Sequence, residues 1–428
     1  MTSPAYPLSP PPRPMGPSNL TPTGARTEMD PGLAPWKVLA VSHVLRNGIV
    51  DLFFERRVER CWRLRGGRVV AVETASIEGA ACRRPEGRLA ARDGLERKGL
   101  AALIGVSARQ LPPVPLPAAP VAPIWDELGA PVDPDLVTVR WLWRAGFVAG
   151  TAGVSLIARP TLLDLSWSDG RRTVRPWPLA PDWGLPAPTP LRTAHPPAGA
   201  VRVLLAPQAA ATLLHELLGH PLEADLLRAG SSPWRQSLGS VVLPLDLELW
   251  DDPTRWDLPG AFDCDDEGTV ATPHRLVEAG RLVGALGDRW SLNPDAGPGG
   301  NARRATLHMA PRPRVSNLVA RVPGALAQPP RHDADLEVEA VSAATLEARA
   351  GLLVLQVRIG HTLRHGRRVR PLGSFALVGQ VEQVAKGLLA AAGTPERSAE
   401  PGWCGKDGEI VPTGSEAPWL LVEGLEAR

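Results

Sequence analysis

The stretch TLLHELLGHPLEADLL (212–227) sets the tightest condition on any fold this chain can adopt. His215, Glu216 and His220 stand together in a run of leucines. A helix so apolar all round has to be buried. Burying two imidazoles and a carboxylate without partners costs several kcal/mol. The fold must therefore bring polar partners, or a cation, to an interior helix.

Pro207 suits a first helical position, and Ala209 to Leu218 are good helix formers. On a regular helix, residues five apart lie about 140° around the axis, since each residue advances about 100°. His215 and His220 would then not share a face. Gly219 is permissive in its backbone, and Pro221 interrupts helical hydrogen bonding. The spacing predicts a local widened turn of π type, which draws residues five apart towards alignment.

If the turn forms, the chemistry is that of a metal site. Two neutral imidazoles are ligands of the kind zinc takes. Glu216, beside the first of them, is placed to take a proton from a zinc-bound water, whose pKa the metal lowers from about 15.7 to near 7. A catalytic zinc needs a third protein ligand and an open position. Cys404, Cys264, Glu223, Asp225 and His274 all carry suitable donors, and residue type alone does not choose between them.

The rest of the chain divides by composition. Residues 1–35, with PLSPPPRPMGP at their centre, have little apolar surface to bury and read as a disordered proline-rich tail. Residues 36–110 read as a small N-terminal α+β domain. It comprises an opening helical segment, strands with a Gly-Gly hairpin signal in RLRGGRVVAVE, and a short helix in GLERKGLAALIG. LPPVPLPAAPVAPIW (111–125) reads as a linker. Residues 126–198 form a middle β-rich region, and 199–428 a C-terminal domain carrying the histidine helix.

In that last part, alternation in SVVLPLDLELW (240–250) predicts a strand. Ala279-Gly280 and His365-Gly366 mark hairpin turns, and ALVGQVEQVAKGLLAAAG (376–393) has the spacing of an amphipathic helix. The expected class is α+β: a small α+β domain followed by an antiparallel sheet or barrel-like domain bearing the metal-site helix.

Charge and cysteine usage narrow the function classes. Apolar residues make up 44% and charged residues 21% of the chain, a globular balance rather than a disordered one. A net charge of +2 gives no electrostatic case for nucleic acid or acidic lipid. The basic run RHGRRVRP (364–371) alternates within a hairpin and reads as an exposed strand face. Cys61, Cys82, Cys264 and Cys404 are widely spaced and form no CxxC pair, which favours a reduced compartment. No apolar run reaches the roughly 18 residues that span a bilayer, and no basic-then-apolar leader opens the chain. A cytoplasmic protein without membrane or nucleic-acid contacts is expected.

Four blocks taken together resemble the TldD/PmbA family of metalloproteases. LLHELLGHPLEAD is similar to its HExxxH signature. CDDEGTVATPHRLVEAGRLVGALGD (264–288), GGNARRATLHMAPRPRVSN (299–317) and GWCGKDGEIVPTG (402–414) follow in the family's order. DLFFERRVERCWRLRGGRVVAVETASIEGAACR (51–83) resembles its opening hairpins. Pro221 stands where the family usually has glycine, the N-terminal domain is short, and the proline-rich tail is not a family feature.

The resemblance implies the metal-bearing, TldD-like kind of subunit. His215, His220 and Cys404 would hold zinc, with Glu216 the general base. It also implies an unfolded or extended peptide as substrate, presented as an added strand. A homodimer, or a heterodimer with a metal-free PmbA/TldE-like subunit, would be the partner arrangement. Asn301, Arg303 and Arg304 are candidate substrate contacts, since paired guanidinium donors suit a peptide carboxylate or carbonyls. Asp265, Asp266 and Glu267 are a candidate acidic wall beside the metal. The alternative function is a non-catalytic peptide-binding or assembly subunit with a structural zinc.

Overall fold

The computed structural model describes residues 33–39, 49–84, 88–131, 133–150, 153–180, 185–188, 194–289, 299–398, 400 and 402–428. Nearly all of the expected tail, 1–32, lies outside them, as does the opening helical segment from 40 to 48.

The first half is one antiparallel sheet. Helix α1 (Ala34–Leu39) precedes β1 (Asp51–Arg65) and β2 (Arg68–Arg83). Gly66 and Gly67 join these strands at φ of 56° and 74°, values that the hairpin turn demands and glycine adopts freely. Then come β3 (Leu89–Asp93), α2 (Arg97–Ile104), β4 (Leu136–Gly150), β5 (Gly153–Ile157), β6 (Leu162–Trp167) and β7 (Arg172–Pro176). The order is β3–β2–β1–β4–β6–β7, with β5 also on β4.

Because β1 pairs with β4 from Asp51↔Gly150 to Arg63↔Thr138, one sheet runs through on both sides of the expected linker. The stretch 111–125 is not a free tether. Leu111, Leu116 and Ala122 are buried. Prolines lack N–H groups but keep their carbonyls, and here those carbonyls are used. Pro113 accepts from the Trp36 indole, Pro117 from Arg56, and Ala122 and Pro123 from Arg60. The segment is thereby bonded along the sheet.

The second half begins with β8 (Gly199–Leu205) and α3 (Pro207–Leu214), followed by a π turn at His215–Gly219 and by α4 (Ala224–Arg228). Next are β9 (Glu248–Asp251), β10 (His274–Glu278), β11 (Arg281–Leu282), the short pair β12 (Ala302–Arg303) and β13 (Arg312–Pro313), and β14 (Asn317–Arg321). The chain continues through β15 (Leu336–Glu347), β16 (Leu352–Arg364), β17 (Arg367–Leu372), β18 (Phe375–Gln380) and α5 (Val381–Lys386). It ends with β19 (Leu388–Ser398), β20 (Trp403–Lys406), β21 (Glu409–Pro412) and β22 (Gly414–Ala427).

The strand path β22–β18–β16–β15–β8 returns to β22, so this part of the sheet closes as the barrel-like expectation required. Most pairs are antiparallel; β8–β15 and β14–β22 are parallel. Helix α3 packs against β8, β15, β19 and β22, and Ala209 to Leu214 are all buried. Among the described residues, no helix is long and apolar enough to cross a membrane.

Hairpin turns fall at Ala279-Gly280 and His365-Gly366, with positive φ at all four residues, and β17 is exposed until Leu372. Two expectations fail. The alternating run 240–250 pairs as a strand only from Glu248, because Pro244 cannot donate to a ladder. The helix expected over 376–393 is confined to Val381–Lys386. On either side of it β22 approaches the backbone closely. A Cβ at Gly379 would lie 2.6 Å from the Gly424 carbonyl, and one at Gly387 2.2 Å from that of Glu423. Sheet pairing there overrides the helical preference of Ala and Leu.

Candidate metal centre

The helix that carries the histidines is interior because its sequence is apolar on every side. Pro207 occupies its first turn, as expected. At His215 the hydrogen bonding widens, and the N–H of His220 donates to the carbonyl of His215 five residues back. The extra residue in the turn turns the two imidazoles towards each other. Their ring centroids lie 4.8 Å apart at an interplanar angle of 86°.

Pro221 then removes the N–H that the Leu217 carbonyl would otherwise take. The Trp234 indole supplies it at 2.9 Å, and the Ser232 hydroxyl bonds the Pro221 carbonyl at 2.6 Å. The helix exit thus keeps partners for the Leu217 and Pro221 carbonyls despite the proline. Gly219 plays a different part from the one expected. Its φ of −70° and ψ of −75° are open to any residue, and what it supplies is room beneath Val315 and Leu318.

The β20–β21 hairpin brings Cys404 to this pair. Its Sγ lies 3.3 Å from His220 Nε2, and one donor atom from each of His215, His220 and Cys404 falls within 4.8 Å of the others. This is the one such three-residue group among the described residues. The other candidates for a third donor go elsewhere. Cys264 is buried in an apolar cluster with Phe53 and Leu307 and donates to the Leu156 carbonyl. His274 lies on β10.

Glu223 and Asp225 support the group from behind. Glu223 Oε1 is 3.2 Å from His220 Nδ1, an arrangement that fixes a ligand's ring and tautomer. Two basic residues without an expected role complete the surroundings. Lys406 donates to Glu223 at 2.8 Å and to Asp225 at 2.7 Å. Arg314, fully buried, donates to the Cys404 carbonyl at 2.6 Å and to its Sγ at 3.2 Å. Both lie within the blocks quoted above, PRPRVSN and GWCGK. Lys406 stands two residues from Cys404, but Arg314 follows Arg312 in the same run and lies 90 positions from the thiol it bonds, so the sequence carried no signal for its role.

The charges follow from burial and these neighbours. Burial alone would raise the Cys404 thiol, but His220, Arg314 and His215 hold it well below the usual thiol range. Burial would likewise raise the Glu223 carboxyl, yet His220, Lys406 and Arg314 bring it down to about 2. Glu216 is raised, chiefly by burial. Among the described residues no hydrogen bond engages the Glu216 side chain, so its lone pairs remain available. A soft thiolate with two imidazoles, backed by a carboxylate, fits a bound first-row metal ion.

The remaining motif residues make no hydrogen bond or ion pair to His215, His220 or Cys404 among the described residues. Asn301 is fully buried, and its amide donates to Asp251 at 2.6 Å. Arg304 bonds Asp51 at 3.2 Å and the Met309 carbonyl at 3.2 Å. Arg303 donates to the carbonyls of Val315 and Pro412. Asp265 accepts the backbone N–H groups of Glu267, Thr269 and Ala302, while Asp266 pairs with Arg159 and Glu267 with Arg83. Instead of a wall beside the metal, these carboxylates and arginines join the first sheet to the second half. Asp51 of β1, bonded to both Arg83 and Arg304, lies at the centre.

The sequence matches the family model described as PmbA/TldA metallopeptidase C-terminal domain over residues 198–428. It is 28% identical over 242 residues to the metalloprotease TldD homolog of Haemophilus influenzae, covering 54% of this chain and 48% of that protein. It is 29% identical over 281 residues to a metalloprotease of Methanothermobacter thermautotrophicus, covering 64% and 57%. The chain spans about half the length of the curated relatives it matches.

Among solved structures, a Thermotoga maritima protein described as a candidate modulator of a DNA gyrase is similar, with a TM-score of 0.65 at 16% identity. The match covers 92% of this chain and 100% of that one. TldE from Thermococcus kodakarensis is similar with a TM-score of 0.62 at 14% identity, covering 91% and 99%. The likeness in both is one of fold.

Proposed function

The chain belongs to the PmbA/TldD metallopeptidase family, and from that premise we propose that it is a zinc-dependent peptidase acting on unfolded or extended peptides. The observation that carries this reading is the convergence of His215, His220 and Cys404 beside an unengaged Glu216. The two imidazoles and the thiolate would hold zinc and leave a position open. Zinc bound there would polarise a peptide carbonyl and acidify water.

Glu216 takes the proton of the attacking water and returns it to the departing amine. Its raised pKa, due to burial, suits both halves of that exchange. Glu223 holds the His220 ring, and His220 with Arg314 favours the thiolate form of Cys404. The substrate class is an extended strand, which the sheet-rich fold can receive by edge pairing. The partner is a second copy or a metal-free TldE-like subunit.

Glu216→Gln tests the assignment. The variant keeps about one zinc per chain and loses cleavage of an unstructured protein by roughly 100-fold or more. The assay is run alone and with a metal-free relative. Undiminished cleavage by Glu216→Gln would rule out the general base. Zinc retained without chelator-sensitive turnover by the unmodified protein would favour a binding subunit.

A further inference from the structure

Side chains alternate along the β20–β21 hairpin, so its two faces look into different places. Cys404 and Lys406 face the histidines. Trp403, Ile410 and Pro412 face a separate cavity of about 190 Å³ between the hairpin and the first sheet. Six arginines line it, namely Arg57, Arg140, Arg144, Arg159, Arg303 and Arg304, against two carboxylates, Asp266 and Glu409.

The neighbouring acids neutralise these cations only in part: Arg57 pairs with Glu59, Arg144 with Glu55 and Arg159 with Asp266. Arg140 shares Asp164 with Arg172, and Arg304 shares Asp51 with Arg83. Arg303 donates only to the carbonyls of Val315 and Pro412, and no carboxylate among the described residues lies within ion-pair reach of it. Arg159 Nη1 and Arg57 Nε are buried without a hydrogen-bond partner. A buried donor left without an acceptor is costly, the more so when charged, so the lining calls for an acceptor that the chain does not provide. Arg57 and Arg140, whose side chains are 22% and 31% exposed, mark the way in from solvent.

We propose that this cavity binds a small organic carboxylate, on the reverse of the hairpin that carries Cys404. Guanidinium forks match a carboxylate through paired hydrogen bonds. The other walls, Leu142, Leu162, Trp403 and Ile410, would face an apolar body and are wasted on an inorganic anion. The site does not depend on the peptidase reading, because it shares no residue with the histidine cluster. Its ligand is either the C-terminal residue of a peptide or a free acid, since both present the same group.

Calorimetric titration of the metal-loaded full chain with N-acetyl-L-leucine and with its amide tests this. The acid binds at one site at least roughly tenfold more tightly than the amide, inorganic phosphate does not displace it, and added salt weakens it. The tripeptide Ala-Ala-Leu, with free or amidated C-terminus, identifies the source. Tight binding of the free tripeptide assigns peptide ends, and binding of the amino-acid derivative alone assigns free acids.

Ala305→Trp fills the cavity mouth from a half-buried position and abolishes binding. Arg140→Met, which is partly exposed and compatible with folding, weakens it several-fold. Equal binding of acid and amide, no binding of the acid up to millimolar concentration, displacement by phosphate, or undiminished binding by either folded variant overturns the proposal.

Discussion

Lys406 Nζ lies 2.8 Å from Glu223 Oε2, and Glu223 is the carboxylate that holds the His220 ring. One ion pair therefore ties the hairpin delivering the thiol to the helix delivering the imidazoles. The Lys406 pair with Asp225 and the Arg314 bond to the Cys404 carbonyl add to that tie.

Lys406→Met keeps most of the aliphatic stem and removes the cation. Glu223 is then buried with one partner fewer, and the hairpin loses its tie to the helix. Metal affinity should fall by roughly 10–100-fold, the usual cost of losing a group that orients a ligand. Competition against a chromogenic chelator measures it. An unchanged affinity would show that hairpin packing alone positions Cys404.

Gly219→Ala tests whether the glycine supplies space or flexibility. An added Cβ would lie 3.0 Å from Val315 Cγ2 and 3.1 Å from Leu318 Cδ1. Overpacking of this kind costs about 1–3 kcal/mol, although alanine is favoured over glycine in a helix by about 1 kcal/mol. The unfolding midpoint should drop, and Val315→Ala in the same background should restore part of the loss. A more stable Gly219→Ala protein would refute the steric account.

Acid should weaken the closed sheet through Glu337. Burial would raise this carboxyl, but the hydrogen bonds from Arg331 and Arg368 lower it below its usual value. A depressed folded-state value gives stability that is present above about 4.5 and lost as pH falls through the folded value. Thermal midpoints taken from pH 6 to pH 3 should fall less steeply in Glu337→Gln than in the unmodified protein. Parallel profiles would mean that other groups carry the acid sensitivity.

Local signals in the sequence were reliable where the chain's neighbours did not matter. Gly66-Gly67 and His365-Gly366 specify their turns by backbone conformation alone, and the five-residue spacing of His215 and His220 carried its own π turn. The failures share a cause. Between 376 and 393 the helical spacing is present, but β22, supplied from about forty residues onward, takes the backbone hydrogen bonds. The prolines of 111–125 read as a tether because their carbonyls' partners, Arg56 and Arg60, sit on a strand some sixty residues earlier. Arg303 and Arg304 were legible as important but not as interior, since burying a guanidinium depends on acceptors that only the folded chain assembles.

The distance in sequence between His220 and Cys404 also sets a schedule. They are 184 positions apart, and at about 5–20 residues per second the thiol is synthesised roughly 10–40 s after the histidines. Strands β15, β19 and β22, which cover α3, arrive in the same interval. For that time the nascent chain carries both imidazoles and no thiol to join them. The complete donor set therefore exists only once the last strands are in place and Cys404 reaches the pair.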